Sequence, residues 1–140
     1  AELGARLVTP ADDPLARHGE IVRVLGLPEL NALLEPDPDC FWRLVETADA
    51  HRVQGTIDGR PMDFRVSVRD HRRVVPPAPE VPGSAREKRV LFLGDSCTFG
   101  VGVDDAESVP AVAARLLAER LVPIEALDAG VPGYSAFQGR

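Results

Sequence analysis

A strand–helix–strand pattern in the second half of the chain is the feature that most constrains its fold. Residues 90–93 form a continuous apolar run that ends at Gly94, as is typical of a strand buried on both faces of a parallel sheet. Apolar residues then recur at spacings of three and four over 109–121, which predicts a helix with Ser108 as its N-cap. The short apolar segment 124–127 predicts a second strand.

This order of elements implies a right-handed crossover between parallel strands, and ligands gather at the carboxyl ends of such strands. Two glycine-rich loops, 94–102 and 128–135, follow these ends. In the first loop, Ser96 would present its hydroxyl beside backbone N–H groups that are able to bind a developing oxyanion. In the second, Gly133 would bring another N–H group to the same place, because no side chain blocks the approach. Ser96 and Gly133 are therefore the candidate catalytic residues.

Other glycine-rich motifs fit this loop poorly. A phosphate-binding Walker loop needs Lys and Ser or Thr after its last glycine, but Val101 and Gly102 follow Gly100. The glycine intervals also differ from those of a dinucleotide fingerprint. The nucleophile elbow of α/β hydrolases has glycine where this chain has Thr98, and Asp95 lacks the nearby acidic residues that would hold magnesium for phosphoryl chemistry.

The first part of the chain predicts a small α+β region, residues 1–75. Amphipathic segments between residues 12 and 34 predict short helices. Apolar and polar residues alternate over 53–57 and again over 64–68, on either side of Asp58-Gly59. This dipeptide favours the positive φ angles of a tight turn, so the pattern predicts an antiparallel hairpin.

A proline-rich segment separates this region from the strand–helix–strand pattern. Four prolines lie within residues 76–83, where they remove backbone donors and favour extended chain. We therefore divide the chain into the small region 1–75, a linker 76–88 and an α/β region 89–140.

Charge and cysteine usage exclude several classes of function. The chain carries 16 Lys and Arg against 22 Asp and Glu, a net charge of -6, which argues against nucleic acid as a partner. The basic cluster 69–73 is more typical of a solvated strand end than of a binding patch. Cys40 and Cys97 show neither the spacing of a disulfide framework nor that of a zinc site, so no metal or other cofactor is implied.

Two further interpretations concern the membrane and the thiol beside Ser96. No apolar run approaches the roughly 20 residues needed to span a bilayer. Because the sequence begins at Ala1 rather than Met, a membrane anchor upstream stays open. Cys97 is interpreted as a small buried hydrophobe.

Both glycine-rich loops resemble sequence blocks of a known family. Gly94-Asp95-Ser96 and its continuation to residue 103 resemble the first block of the SGNH (GDSL-type) hydrolases, and residues 128–135 are similar to their second block. The segment 36–44 is similar to a lead-in found in many bacterial members. The resemblance implies an incomplete flavodoxin-like three-layer α/β/α domain with parallel strands, preceded by a small α+β region. It also implies Ser96 as nucleophile, the N–H groups of Ser96 and Gly133 in the oxyanion hole, and a bacterial envelope or periplasmic location.

The sequence departs from the family pattern in its catalytic base. The family's third block supplies an oxyanion Asn and its last block an Asp and a His, and none of these can be placed here. The three histidines, His18, His51 and His71, all precede Ser96. A serine without a general base is a poor nucleophile, so we expect this chain to be a fragment of a longer hydrolase and to be inactive alone.

Three functions are therefore open from the sequence. The first is a serine-dependent ester hydrolase that acts on acyl esters, including acetyl esters, of small molecules or saccharides through an acyl-enzyme. The second is an O-acetyltransferase that uses the same site. The third is a non-catalytic carbohydrate-binding or interaction module.

Overall fold

The computed structural model of the chain describes residues 27–83 and 88–135. These residues form eight strands and three short helices, with a 3-10 turn at Asp105–Glu107. In chain order the elements are α1 (Pro28–Asn31), β1 (Leu34–Asp37), β2 (Phe41–Leu44), β3 (His51–Ile57), β4 (Arg60–Val66), β5 (Val68–Arg69), β6 (Arg72–Arg73), β7 (Lys88–Gly94), α2 (Ser96–Phe99), α3 (Val109–Glu119) and β8 (Ile124–Gly130).

The predicted hairpin is confirmed. Strands β3 and β4 pair antiparallel from His51 opposite Val66 to Ile57 opposite Arg60. The two-residue turn between them has Asp58 at φ 49° and Gly59 at φ 75°, so both central residues are left-handed, as a hairpin turn matched to strand twist requires. A second, shorter antiparallel pair is formed by β1 and β2.

A four-stranded mixed sheet has the order β5-β6-β8-β7. Strands β7 and β8 are parallel over their whole length, from Lys88 opposite Ile124 to Gly94 opposite Gly130. Strand β6 joins the other side of β8 antiparallel, with Arg73 opposite Asp128. Helix α3 lies between β7 and β8 in sequence, with the Ser108 hydroxyl accepting from the Ala111 N–H as its predicted cap.

The expected fold class, a flavodoxin-like three-layer α/β/α domain with parallel strands, is wrong. The described residues are mostly strands in small antiparallel and mixed sheets, with three short helices, and their single parallel pair is β7 with β8. The local order of strand, helix and strand is present, but the β5–β6 hairpin pairs antiparallel with the other side of β8, so the sheet is mixed. Among the described residues, the connection that contains α3 is the one that joins parallel strands.

The apolar run of β7 is also not buried on both faces. Val90 and Phe92 pack against the cluster formed by α3 and β8, whereas Leu91 and Leu93 are 52% and 61% exposed. Among the described residues α3 packs on one face of β7, so the alternate residues on the other face are exposed.

The predicted helices between residues 12 and 34 lie mostly outside the described residues. Within these, α1 is a single turn, and Leu34 already belongs to β1. The Leu33 carbonyl accepts from the Val45 N–H at 2.9 Å, so strand pairing replaces helical hydrogen bonds there.

One hydrophobic cluster joins chain from both sides of the proline-rich segment. Trp42 at its centre donates from Nε1 to the Pro132 carbonyl at 3.0 Å, and the Tyr134 hydroxyl donates to the Trp42 carbonyl at 2.7 Å. The division of the chain at 76–88 stays a prediction. The buried members are Leu27, Leu30, Leu33, Leu34, Trp42, Leu44, Val53, Phe64, Val66, Val68, Phe99 and Val131.

Candidate functional site

Ser96 occupies the first position of α2, directly after the turn that ends β7. Asp95 is the N-cap of this helix, and its carboxylate accepts from the Cys97 N–H at 2.9 Å. The helix ends at Gly100, whose φ of 77° is left-handed and whose N–H donates to the Ser96 carbonyl at 3.0 Å. Ser96 itself is half-buried. The Phe99 N–H donates to the Asp95 carbonyl at 2.9 Å, which closes this single helical turn.

Two glycines let α2 lie directly on the strand ends. A Cβ at Gly130 would overlap the backbone nitrogen of Phe99, and a Cβ at Gly94 would overlap the side chain of Thr98. Glycine at the ends of β7 and β8 is therefore a packing requirement of the Ser96 turn.

The second glycine-rich loop leaves the same edge of the sheet. The Val131 N–H donates to the Gly94 carbonyl at 3.1 Å, which extends the β7–β8 ladder by one bond. Gly133 then lies in an exposed turn at φ 80°. Among the described residues no hydrogen bond joins Ser96 to Gly133, and their assignment to one site stays a prediction.

A cavity of about 380 Å³ opens beside Ser96. The first glycine-rich loop, the start of α3 and the tip of the β3–β4 hairpin form its walls. The sequence around Ser96 does not indicate that the hairpin lines this cavity, because Ile57 lies about 40 residues upstream. The lining residues are Ile57, Ser96, Cys97, Gly100, Val101, Val103, Glu107 and Val109.

Cys97 is an exposed free thiol, so its interpretation as a buried hydrophobe is wrong. The Asp95 cap holds its backbone N–H, while its side chain lines the cavity. The buried apolar residue of the α2 turn is instead Phe99.

Arg73 holds the loop that follows α2. Its guanidinium donates to the carbonyls of Phe99, Gly100 at 2.8 Å and Val103 at 2.6 Å, and it pairs with Asp105 at 3.0 Å. It also lies over the Phe99 ring, 5.1 Å from the centroid. Its side chain is fully buried, so for this residue the interpretation of 69–73 as a solvated strand end is wrong. One arginine here replaces the water that would otherwise satisfy three carbonyls.

Two aspartates tie the same loop to the hairpin strand. Asp104 Oδ1 accepts from the Arg65 N–H at 2.7 Å, and Asp105 Oδ2 accepts from the Ser67 N–H at 3.0 Å. With Arg73, these contacts fix one wall of the cavity to β4 and the chain after it.

A buried carboxyl lies under the second loop. Asp128 is 1% exposed, and its Oδ1 accepts from the Gly130 N–H at 2.9 Å. Its Oδ2 has no hydrogen-bond partner among the described residues. Burial raises the pKa of Asp128 to about 6, against the lowering effects of the Gly130 hydrogen bond and the Arg73 charge.

The described histidines are engaged elsewhere. His51 Nε2 lies 3.1 Å from the Glu29 carbonyl and His71 Nδ1 lies 2.8 Å from the Leu44 carbonyl; His18 lies outside the described residues. Within 27–83 and 88–135, no imidazole is hydrogen-bonded to Ser96.

The described residues hold neither a cluster of metal-binding side chains nor a membrane-spanning helix. No group of three or more His, Cys, Asp or Glu side chains there is placed to hold a metal ion. None of the helices in this part of the chain has the length and apolar character needed to cross a membrane.

Comparison with known proteins gives no assignment. The chain matches no protein-family model, and no curated protein or solved structure is significantly similar to it. The resemblance to SGNH hydrolases therefore rests on the two sequence blocks alone.

Proposed function

We propose that Ser96 is the nucleophile of a serine-dependent ester hydrolase of the SGNH type, acting on acyl esters of small molecules or saccharides. The observation that carries this proposal is the position of Ser96. It starts α2 at the carboxyl end of β7 and borders a cavity, while the second glycine-rich loop is hydrogen-bonded to the same strand end through Val131 and Gly94. Ser96, a glycine-rich backbone and an open cavity thus lie at the same end of β7, which supports the proposal.

In this mechanism Ser96 Oγ attacks the ester carbonyl and gives its proton to a general base. The backbone N–H groups of Ser96 and Gly133 bind the oxyanion, and the alcohol leaves after it receives a proton from the same base. Water then attacks the acyl-serine, which releases the carboxylic acid and restores the hydroxyl. Asp95 keeps the turn in place through the Cys97 N–H and takes no part in proton transfer.

The general base belongs to the part of the protein outside residues 27–83 and 88–135. His51 and His71 are bound to backbone carbonyls of the small region, so neither serves Ser96. A test of activity therefore requires the protein as its natural gene expresses it.

The test is hydrolysis of p-nitrophenyl esters by wild-type protein, Ser96→Ala and Thr56→Ala. Thr56 is an exposed hydroxyl residue of β3 outside the cavity lining, so its variant is the matched control. We expect Ser96→Ala to lose at least about 10³-fold in kcat and Thr56→Ala to retain the wild-type rate. Equal rates for wild type and Ser96→Ala would overturn the proposal. Addition of a sugar acceptor, with analysis of the acylated product, separates hydrolysis from acyl transfer.

A further inference from the structure

The cavity beside Ser96 is walled largely by aliphatic side chains. Ile57, Val101, Val103 and Val109 contribute from three separate elements. Among the described residues that line it, Glu107 alone carries a charge. Such a lining gains free energy by removing apolar atoms of a ligand from water and offers few partners to a polar one.

The hairpin tip is a fixed wall of this cavity. Ile57 pairs with Arg60 beside the two-residue turn and packs against the main hydrophobic cluster. Below it the hairpin touches the glycine-rich loop so closely that a Cβ at Gly102 would overlap the Met62 side chain. Arg73 holds the other side of that loop by its Gly100 and Val103 carbonyls.

The volume exceeds what a two-carbon acyl group needs. About 380 Å³ lies at the lower end of the range for small-molecule pockets, roughly 300 to 1,000 Å³. If each methylene takes a volume similar to that of a water molecule, about 30 Å³, a chain of roughly six to eight carbons fills half of the open space.

We propose that this cavity binds the acyl chain of the ester, and that the β3–β4 hairpin tip makes the enzyme prefer straight aliphatic chains of roughly six to eight carbons over acetyl. This inference rests on the proposed function, because it places the chain by the Ser96 nucleophile. It assigns a binding role to Ile57 and Val109, which neither sequence block contains.

The test is a chain-length profile of kcat/KM for p-nitrophenyl acetate, butyrate, hexanoate and octanoate. Ile57→Trp and Val109→Trp fill the cavity from two sides, and Ser96→Ala measures the background. Leu116→Trp is the matched control, because Leu116 is 49% exposed on the same helix as Val109 and does not line the cavity. Thermal unfolding of each variant reports whether it is folded, and Val109, which is 57% exposed, accepts the larger side chain without disturbing the core.

Each methylene removed from water contributes about fourfold in binding. We expect wild type and Leu116→Trp to prefer hexanoate over acetate by at least about tenfold, and both cavity-filling variants to prefer acetate or butyrate. Two results would overturn the acyl-pocket proposal and leave the proposed function standing. The first is Ser96-dependent hydrolysis that is fastest on acetate. The second is a chain-length profile that neither Ile57→Trp nor Val109→Trp shifts. Hydrolysis that does not depend on Ser96 for any ester would overturn the proposed function, and the acyl pocket with it.

Discussion

At the scale of single residues, Asp128 is a buried carboxyl whose hydrogen-bonding capacity is only partly satisfied. It is 1% exposed, with one oxygen bonded to the Gly130 N–H and the other without a partner. Its charge is disfavoured by burial and by Asp105, and favoured by Arg73. Gly130, whose N–H this carboxyl accepts, lies directly under α2.

This residue predicts a pH dependence of stability with a defined sign. The folded-state pKa of Asp128 is raised from 3.8 to about 6, so between these values the folded state binds more protons than the unfolded state. Stability from this group is therefore greatest at low pH and is lost as pH rises through the window. We expect the free energy of unfolding of wild type, relative to Asp128→Asn, to fall between about pH 4 and pH 6 and to stay constant above it, as measured by urea denaturation.

Asp63→Asn is the control for that comparison. Hydrogen bonds from Arg52 lower the pKa of the exposed Asp63 carboxyl, so its contribution is lost only as pH falls below the ordinary range. Across the same window, about pH 4 to pH 6, the difference between wild type and this variant should stay flat or rise slightly, and not fall. Parallel stability curves for wild type and Asp128→Asn across pH 4 to 6 would contradict the raised pKa.

At the scale of elements, one buried arginine holds the loop after Ser96, in addition to the contacts that Asp104 and Asp105 make with backbone N–H groups of β4 and the chain after it. Arg73, in the two-residue strand β6, satisfies three carbonyls and one carboxylate of chain 99–105. Its removal leaves the buried Phe99 and Val103 carbonyls without this donor, and an orphaned buried group costs more than the bond itself contributed. The Gly100 carbonyl and the Asp105 carboxylate keep the Val103 and Ser67 N–H groups.

Substitution of Arg73 should therefore be far more damaging than substitution of its neighbour. We expect Arg73→Ala to lose about 3 to 5 kcal/mol in the free energy of unfolding, and Arg73→Lys to lose somewhat less because one ammonium cannot reach all four acceptors. Arg72→Ala should change the free energy by less than about 0.5 kcal/mol, since Arg72 is partly exposed and meets Asp70 only at 3.6 Å. Similar urea midpoints for Arg72→Ala and Arg73→Ala would refute this role.

Elements with strong local signals were predictable from the sequence, and their partners were not. Asp58-Gly59 fixed the hairpin because few dipeptides adopt two left-handed conformations, and Ser108 marked the start of α3 through its cap. The burial of Arg73 has no local signal, because its acceptors lie about 30 residues downstream. The apolar run of β7 was misread, because an apolar run does not reveal whether both faces of a strand are covered.

At the scale of the whole molecule, the candidate site is shared between the two sides of the proline-rich segment. The β3–β4 hairpin supplies Ile57 to the cavity, and strand β6 supplies Arg73 to the loop beside it. Trp42 is hydrogen-bonded to the Pro132 carbonyl in the turn that contains Gly133. The expected three-layer architecture was what the resemblance of residues 89–140 to the SGNH family implied, as an incomplete domain with parallel strands. The shared core and the antiparallel addition of β6 to β8 account for the difference.

Covalent trapping in the natural protein tests the role of Ser96 as nucleophile most directly. A p-nitrophenyl alkylphosphonate is added, and the tryptic peptide of residues 90–115 is sequenced by tandem mass spectrometry. This peptide contains Ser96, Cys97 and Ser108, so the position of the adduct separates a serine nucleophile from the exposed thiol beside it. We expect one phosphonate on Ser96 of the wild-type protein and none on this peptide of the Ser96→Ala variant. An adduct on Cys97, or no adduct on Ser96 while ester hydrolysis proceeds, would contradict this role.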